Sequence, residues 1–195
     1  MPITYPTPED ASRPRRRRRP GFAVRFARST SGVTAVEFGF VAIPFFTLLL
    51  AILETALVFH GQVMLDSGLY AAARMIRTGQ AQTQGFNATT FRNEVCDRAY
   101  GLIDCDDTLY VDVRSYDNFE DINLPDPLDE NGEVNDDFVY QAGQEGDIVV
   151  ARAHFEMFVF TPSAWGIGLG NMSSGNRLLT STATFRNEPF GAILE

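Results

Sequence analysis

The sequence predicts an α+β fold: a long N-terminal transmembrane helix packed on a small three-stranded antiparallel sheet. Three observations predict it. Residues 33–53 form an apolar run of 21 residues whose one charge is Glu37. A helical apolar pattern continues past that run to about residue 78. Three later stretches change to the period of two, or to the Val- and Thr-rich composition, that marks strands.

The apolar run comes first because it divides the chain chemically. At 1.5 Å per helical residue it spans roughly 31 Å, close to the hydrocarbon thickness of a bilayer. The chain has 195 residues and a net charge of −9, and it contains no lysine. Residues 1–32 hold eight arginines against Glu9 and Asp10, a charge of +6. The remaining residues hold eight arginines against 23 carboxylates, a charge of −15. Basic residues beside a span stay cytoplasmic, so residues 1–32 are expected inside and the acidic part across the membrane. This divides the chain into a basic leader, 1–32, a membrane helix, 33–59, and an extracytoplasmic α+β domain, 60–195.

The leader carries Pro2, Pro6, Pro8, Pro14 and Pro20 around five consecutive arginines, 15–19. Such a segment cannot bury a core. The arginines suit anionic lipid headgroups. Phe22 and Phe26 follow the run rather than interleave with it, so no nucleic-acid partner is expected. A cleaved secretory signal is disfavoured because the apolar run is too long and Glu54, Phe59 and His60 occupy the place of a small-residue cleavage site.

Beyond the run, Leu65, Leu69, Ala72, Ala73 and Ile76 recur every three to four residues. This predicts one helix over 33–78 whose second half has an apolar stripe needing cover. Gly61 and Gly68 weaken it, and Gly79 and Gly85 are placed to end it. Residues 87–101 predict a second helix with Phe91, Val95, Ala99 and Leu102 on one side. Residues 108–116, 147–160 and 177–186 predict the strands. The stretch 117–146 is acidic and rich in turn residues. The stretch 162–175 carries Gly166, Gly168, Gly170 and Gly175.

At the head of the span stands Ser31-Gly32-Val33-Thr34-Ala35-Val36-Glu37-Phe38. Gly, four residues, Glu and an aromatic resemble the prepilin cleavage signal of type IV and tight-adherence (Flp) pilins. The wider run GVTAVEFGFVAIPFF, with Pro44 inside it, resembles the TadE-like family of tight-adherence pilus assembly proteins. The resemblance covers roughly residues 31–60. It implies a pilin-like fold and a minor pseudopilin cut by a prepilin peptidase between Gly32 and Val33. Glu37, the fifth residue of the mature chain, would then meet the N-terminal amine of a neighbouring subunit. Phe38 stands where Flp pilins have Tyr. A buried charge in lipid costs about 3 kcal/mol at mid-helix, which such a partner would offset. Glu37 can also reach the headgroup layer, being only four residues inside the span. Pro44 reads either as a flexible point or as an ordinary membrane-helix proline.

The implied partners are membrane lipid, other pilin or pseudopilin subunits, prepilin peptidase and an inner-membrane assembly platform. The implied location is the bacterial inner membrane, with the acidic domain in the periplasm. The alternative is an uncleaved single-pass anchor with a periplasmic protein-binding domain. In an oxidising compartment Cys96 and Cys105, the two cysteines, have one possible pairing. No cofactor or metal is expected, since His60 and His154 are far from the cysteines and no Cys-x-x-Cys occurs. Asp129, Asn131, Glu133, Asn135 and Asp137 alternate like calcium ligands, but Gly132 is misplaced for an EF-hand and a solvated loop is the simpler reading. Gly-x-Gly-x-Gly at 166–170 lacks the strand–helix context of a dinucleotide loop. No nucleophile–base pair emerges, so the expected mechanism is assembly rather than catalysis. Trp165, Phe158 and Phe160 are left open between a contact surface and the core.

Overall fold

The computed structural model describes residues 32–99, 105, 107–161 and 168–190. The basic leader up to Ser31, Leu102, and Trp165 with Gly166 lie outside the described residues. The chain divides into two compact units, residues 1–46 and 47–195. Helix α1, Val33–Arg77, runs unbroken through 45 residues with Pro44 inside it. After it come α2 (Gln80–Thr83), α3 (Ala88–Arg98), β1 (Leu109–Tyr116), β2 (Ile148–Met157) and β3 (Arg177–Arg186).

The described part of the first unit is the opening of α1. Phe38, Phe40, Val41, Ile43, Phe45 and Phe46 are all exposed. Phe45 and Phe46 touch edge to face with ring centroids 5.4 Å apart.

The second unit holds the sheet, ordered β1-β2-β3 and antiparallel throughout. Leu109 pairs with Phe155 and Tyr116 with Ile148. Ile148 in turn pairs with Arg186, and Met157 with Arg177. One face presents Val111, Val113, Val149, Ala151, Ala153 and Phe155. The stripe Leu65, Leu69, Ala72, Ala73 and Ile76 of α1 packs in one buried cluster with them, joined by Phe91 and Val95 of α3. The helix–sheet packing predicted from the periodicity is therefore present, and burial of apolar area is what holds it.

The ends of the helices follow local chemistry. Gly79 adopts a left-handed conformation, φ 77°, just past α1, where only a residue without a side chain avoids Phe190. The Glu188 N–H donates to the Arg77 carbonyl at 2.9 Å, satisfying one terminal acceptor of α1. Asn87 caps α3, its side chain accepting from the Thr90 N–H at 2.9 Å. Helix α3 ends at Arg98, a turn short of the predicted 101.

Gly68 has a steric role that its propensity alone does not suggest. A Cβ there would stand 2.5 Å from the Val95 carbonyl oxygen and 3.0 Å from the Ala99 Cβ. The absence of a side chain lets the last turn of α3 close onto α1. Gly68→Ala gains about 1 kcal/mol in helix propensity, yet forcing backbone apart in a packed contact costs typically 1–3 kcal/mol. A net loss of stability, seen as a lower denaturation midpoint of the full-length protein in detergent, is the expected outcome.

The loop between β1 and β2 departs from expectation. Residues 117–146 fold back over the sheet instead of standing in solvent. Val139 O accepts from the Val113 N–H, and the Gln141 N–H donates to Val113 O, both at 2.8 Å. These bonds cover the free edge of β1. The loop also closes the second sheet face, so Asp112, Arg152 and His154, polar positions on the strands, are buried. Strand β2 ends at Met157 rather than at 160, where its partner β3 begins at Arg177.

Candidate assembly interface

Gly32 stands immediately before α1 with open space around its Cα, and Val33 is the first helical residue. Glu37 and Phe38 follow within the second turn, both exposed. Val33 and Glu37 are four residues apart in the chain, a rise of roughly 6 Å along the helix axis. Pro44 is also exposed and lies within the helix without ending it. The motif residues thus share one short helical segment whose large side chains are uncovered. Such a surface must be met by lipid or by other helices.

Cys96 and Cys105 belong to the other unit and form a disulfide, with Cα atoms 6.0 Å apart. It ties α3 to the chain entering β1. Closing so short a loop restricts the unfolded chain by roughly 2–3 kcal/mol.

The second carboxylate of the apolar region is Glu54, which the motif reading passed over. It is only 2 % exposed although it directly follows the apolar run. Its Oε1 accepts from the backbone N–H groups of Phe160 and Thr161, the latter at 3.0 Å. Beyond the last sheet pair, Met157 with Arg177, these bonds hold residues 160 and 161 against α1. No local signal could have found the contact, since its partners are 106 and 107 residues away.

The polar residues under the folded-back loop are the nearest thing to a reactive cluster. Both Asp112 oxygens are occupied: Val139 N–H donates at 3.0 Å, Arg114 Nε at 3.1 Å and Arg152 Nε at 3.1 Å. Burial opposes ionisation of Asp112, but the bonds from Arg152, Val139 and Arg114 outweigh it and hold the carboxyl below its ordinary range. His154 Nδ1 shares a hydrogen bond with Thr180 Oγ1 at 2.9 Å, and its ring stacks on Phe138 at 5.2 Å. Burial, with Arg152 nearby, lowers its pKa to about 4. The Tyr140 hydroxyl is pushed up to about 12 by burial. Every one of these groups is sealed from solvent or committed to the fold, and the cluster ties the loop to the sheet.

In the acidic loop, Asp129 Oδ1 accepts from the Asn131 and Glu133 N–H groups at 2.9 and 2.8 Å. Its carboxylate therefore holds its own turn. Among the described residues no three His, Cys, Asp or Glu side chains converge as a metal cluster.

Among the described residues one helix is long and apolar enough to cross a membrane; its most apolar 18-residue window has a mean hydropathy of 2.3 and none of it is buried. Residues 32–74 match the model of the family described as TadE-like protein. The match opens on Gly32 and carries Glu37, Phe38, Pro44 and Glu54, while the sheet lies beyond it. The match covers 43 of the 195 residues and coincides with the apolar helix, so the likeness to TadE-like pilus assembly proteins lies in the candidate membrane span. No curated protein and no solved structure matches the chain.

Proposed function

We propose that this protein acts as a minor pseudopilin of a bacterial tight-adherence secretion system, processed between Gly32 and Val33 by prepilin peptidase. The basic leader stays in the cytoplasm, α1 crosses the inner membrane up to about residue 59, and residues 60–195 stand in the periplasm. The single observation that supports this best is the placement of Gly32, Glu37 and Phe38 at the head of an apolar helix whose large side chains are exposed. An exposed carboxylate one turn from the new N-terminus is positioned to pair with the amine of a neighbouring subunit. The uncovered aromatic and aliphatic side chains around it supply helix–helix contact with other pilin subunits and the assembly platform.

Intact-mass measurement on protein from its native host tests the reading. Processing predicts a chain beginning at Val33, with Gly32→Leu leaving the leader attached. A full-length mass in the wild-type protein would replace this reading by the uncleaved anchor with a protein-binding domain. Glu37→Gln is expected to be processed but to lose recovery with assembled pilin subunits after crosslinking.

A further inference from the structure

The chain leaving β2 places aromatic side chains at a defined depth relative to the apolar run. Gly61 of α1 lies against Met157 and Leu179, since a Cβ there would meet Met157 Sδ at 3.3 Å and Leu179 Cδ1 at 3.2 Å. Glu54, seven residues earlier on the same helix, holds the backbone of Phe160 and Thr161. Seven helical residues rise roughly 10 Å, and three to four extended residues cover roughly 10–13 Å. Residues 157–161 therefore run antiparallel down the side of α1, from Gly61 to Glu54.

Extended chain sends alternate side chains to opposite sides. Val159 turns inward and is buried, whereas Phe158 is 73 % exposed and Phe160 is 42 % exposed. Phe158 falls level with Phe59 on the helix, itself exposed. Leu48, Ile52 and Leu53 just below are exposed as well. The aromatic surface is thus continuous with the apolar surface of the span within the same unit. It lies beside the helical residues that follow the end of the apolar run.

We propose that residues 158–161 form a second, peripheral membrane contact, in which Phe158 and Phe160 enter the outer-leaflet interface of the lipid that surrounds α1. The occupant is phospholipid at the headgroup–acyl boundary, the zone in which amphipathic aromatic surfaces lodge. Glu54 is the positioning residue: its bonds to two amides keep the extended segment at that depth. The contact fixes the domain's height over the bilayer. The inference rests on the membrane-anchor reading.

The test uses the full-length chain in phosphatidylcholine vesicles, with Trp165→Phe removing the one native tryptophan. Phe158→Trp reports the proposed contact, Leu50→Trp the span, and Phe119→Trp an exposed site beyond the opposite end of the sheet. With lipids brominated high on the acyl chain, Phe158→Trp emission is expected to fall to roughly half and shift to the blue, as for an interfacial side chain. Phe119→Trp is expected to remain unquenched. Adding Glu54→Ala is expected to reduce the quenching of Phe158→Trp while leaving that of Leu50→Trp intact. Quenching of Leu50→Trp without quenching of Phe158→Trp overturns the inference and leaves the anchor standing. A blue shift of Phe158→Trp without bromine quenching also overturns it, in favour of a protein partner. Absence of quenching at both positions removes the anchor reading and this inference together.

Discussion

Asp112→Ala is expected to destabilise the sheet-containing unit by about 3–5 kcal/mol, the usual consequence of stranding one member of a buried charge pair. Asp112 is fully buried, and the side chain of Arg152 is only 6 % exposed. Arg152 also donates through Nη1 to the Pro125 carbonyl at 2.8 Å, and Arg114 through Nη2 to the Asp137 carbonyl at 2.6 Å. One carboxylate thus organises two guanidinium groups, and these in turn hold two points of the folded-back loop. Removing it leaves Arg152 charged with no anion, and also frees the Val139 N–H beside the edge of β1. The measurement is the denaturant midpoint of the full-length protein in detergent, followed by near-ultraviolet circular dichroism. Asp112→Leu combined with Arg152→Met is expected to recover much of the loss, because a buried pair and a packed apolar pair of similar volume differ little. A double variant no better than Asp112→Ala would mean that the loop contacts, not the charge balance, carry the energy.

The parts of the molecule readable in the sequence are those set by short-range pattern. Helix α1 was legible because 21 apolar residues and then a stripe at spacings of three to four admit few other structures. Gly79 marked its end because the left-handed residue after a helix favours glycine. Strand β3 has the predicted bounds, as its Thr- and Leu-rich run is closed by turn residues on both sides. The second sheet face was not legible. Asp112 alternates with apolar residues in a strand that reads as half-buried, and His154 reads as a structural residue of its strand, but nothing local marks what covers either of them. The loop that covers them looks solvated by composition and is tied to Asp112, Arg114 and Arg152 by bonds spanning 23 to 27 residues. The candidate site divides the same way. Gly32, Glu37 and Phe38 are recognisable from spacing alone, whereas Glu54 acquires its role from backbone donors over 100 residues downstream.

The stability of the same layer is expected to fall as the pH drops from about 6.5 to about 4, through His154. The ordinary imidazole value is 6.5, and burial followed by the proximity of Arg152 lowers it to about 4 in the folded protein, with Asp112 opposing. The sign follows from proton binding. Between those values the unfolded chain takes up a proton at His154 and the folded chain does not, so acid favours unfolding. The contribution is complete above the unfolded value, is lost as the pH descends to the folded one, and amounts to about 3 kcal/mol. Structurally, Nδ1 is engaged with Thr180 and Nε2 has no partner, so a protonated ring would hold a charge between Phe138 and the sheet, offset only by Asp112, which is already paired with Arg114 and Arg152. Asp112 adds a second loss at lower pH: its depressed value makes its contribution vanish only below the ordinary 3.8. Denaturant midpoints measured from pH 7.5 to 4.5 should therefore decline mainly through His154. His154→Gln, which retains a hydrogen-bonding group for Thr180, should flatten that decline even if its stability at pH 7.5 is lower. An unchanged slope in His154→Gln would assign the acid sensitivity to other groups.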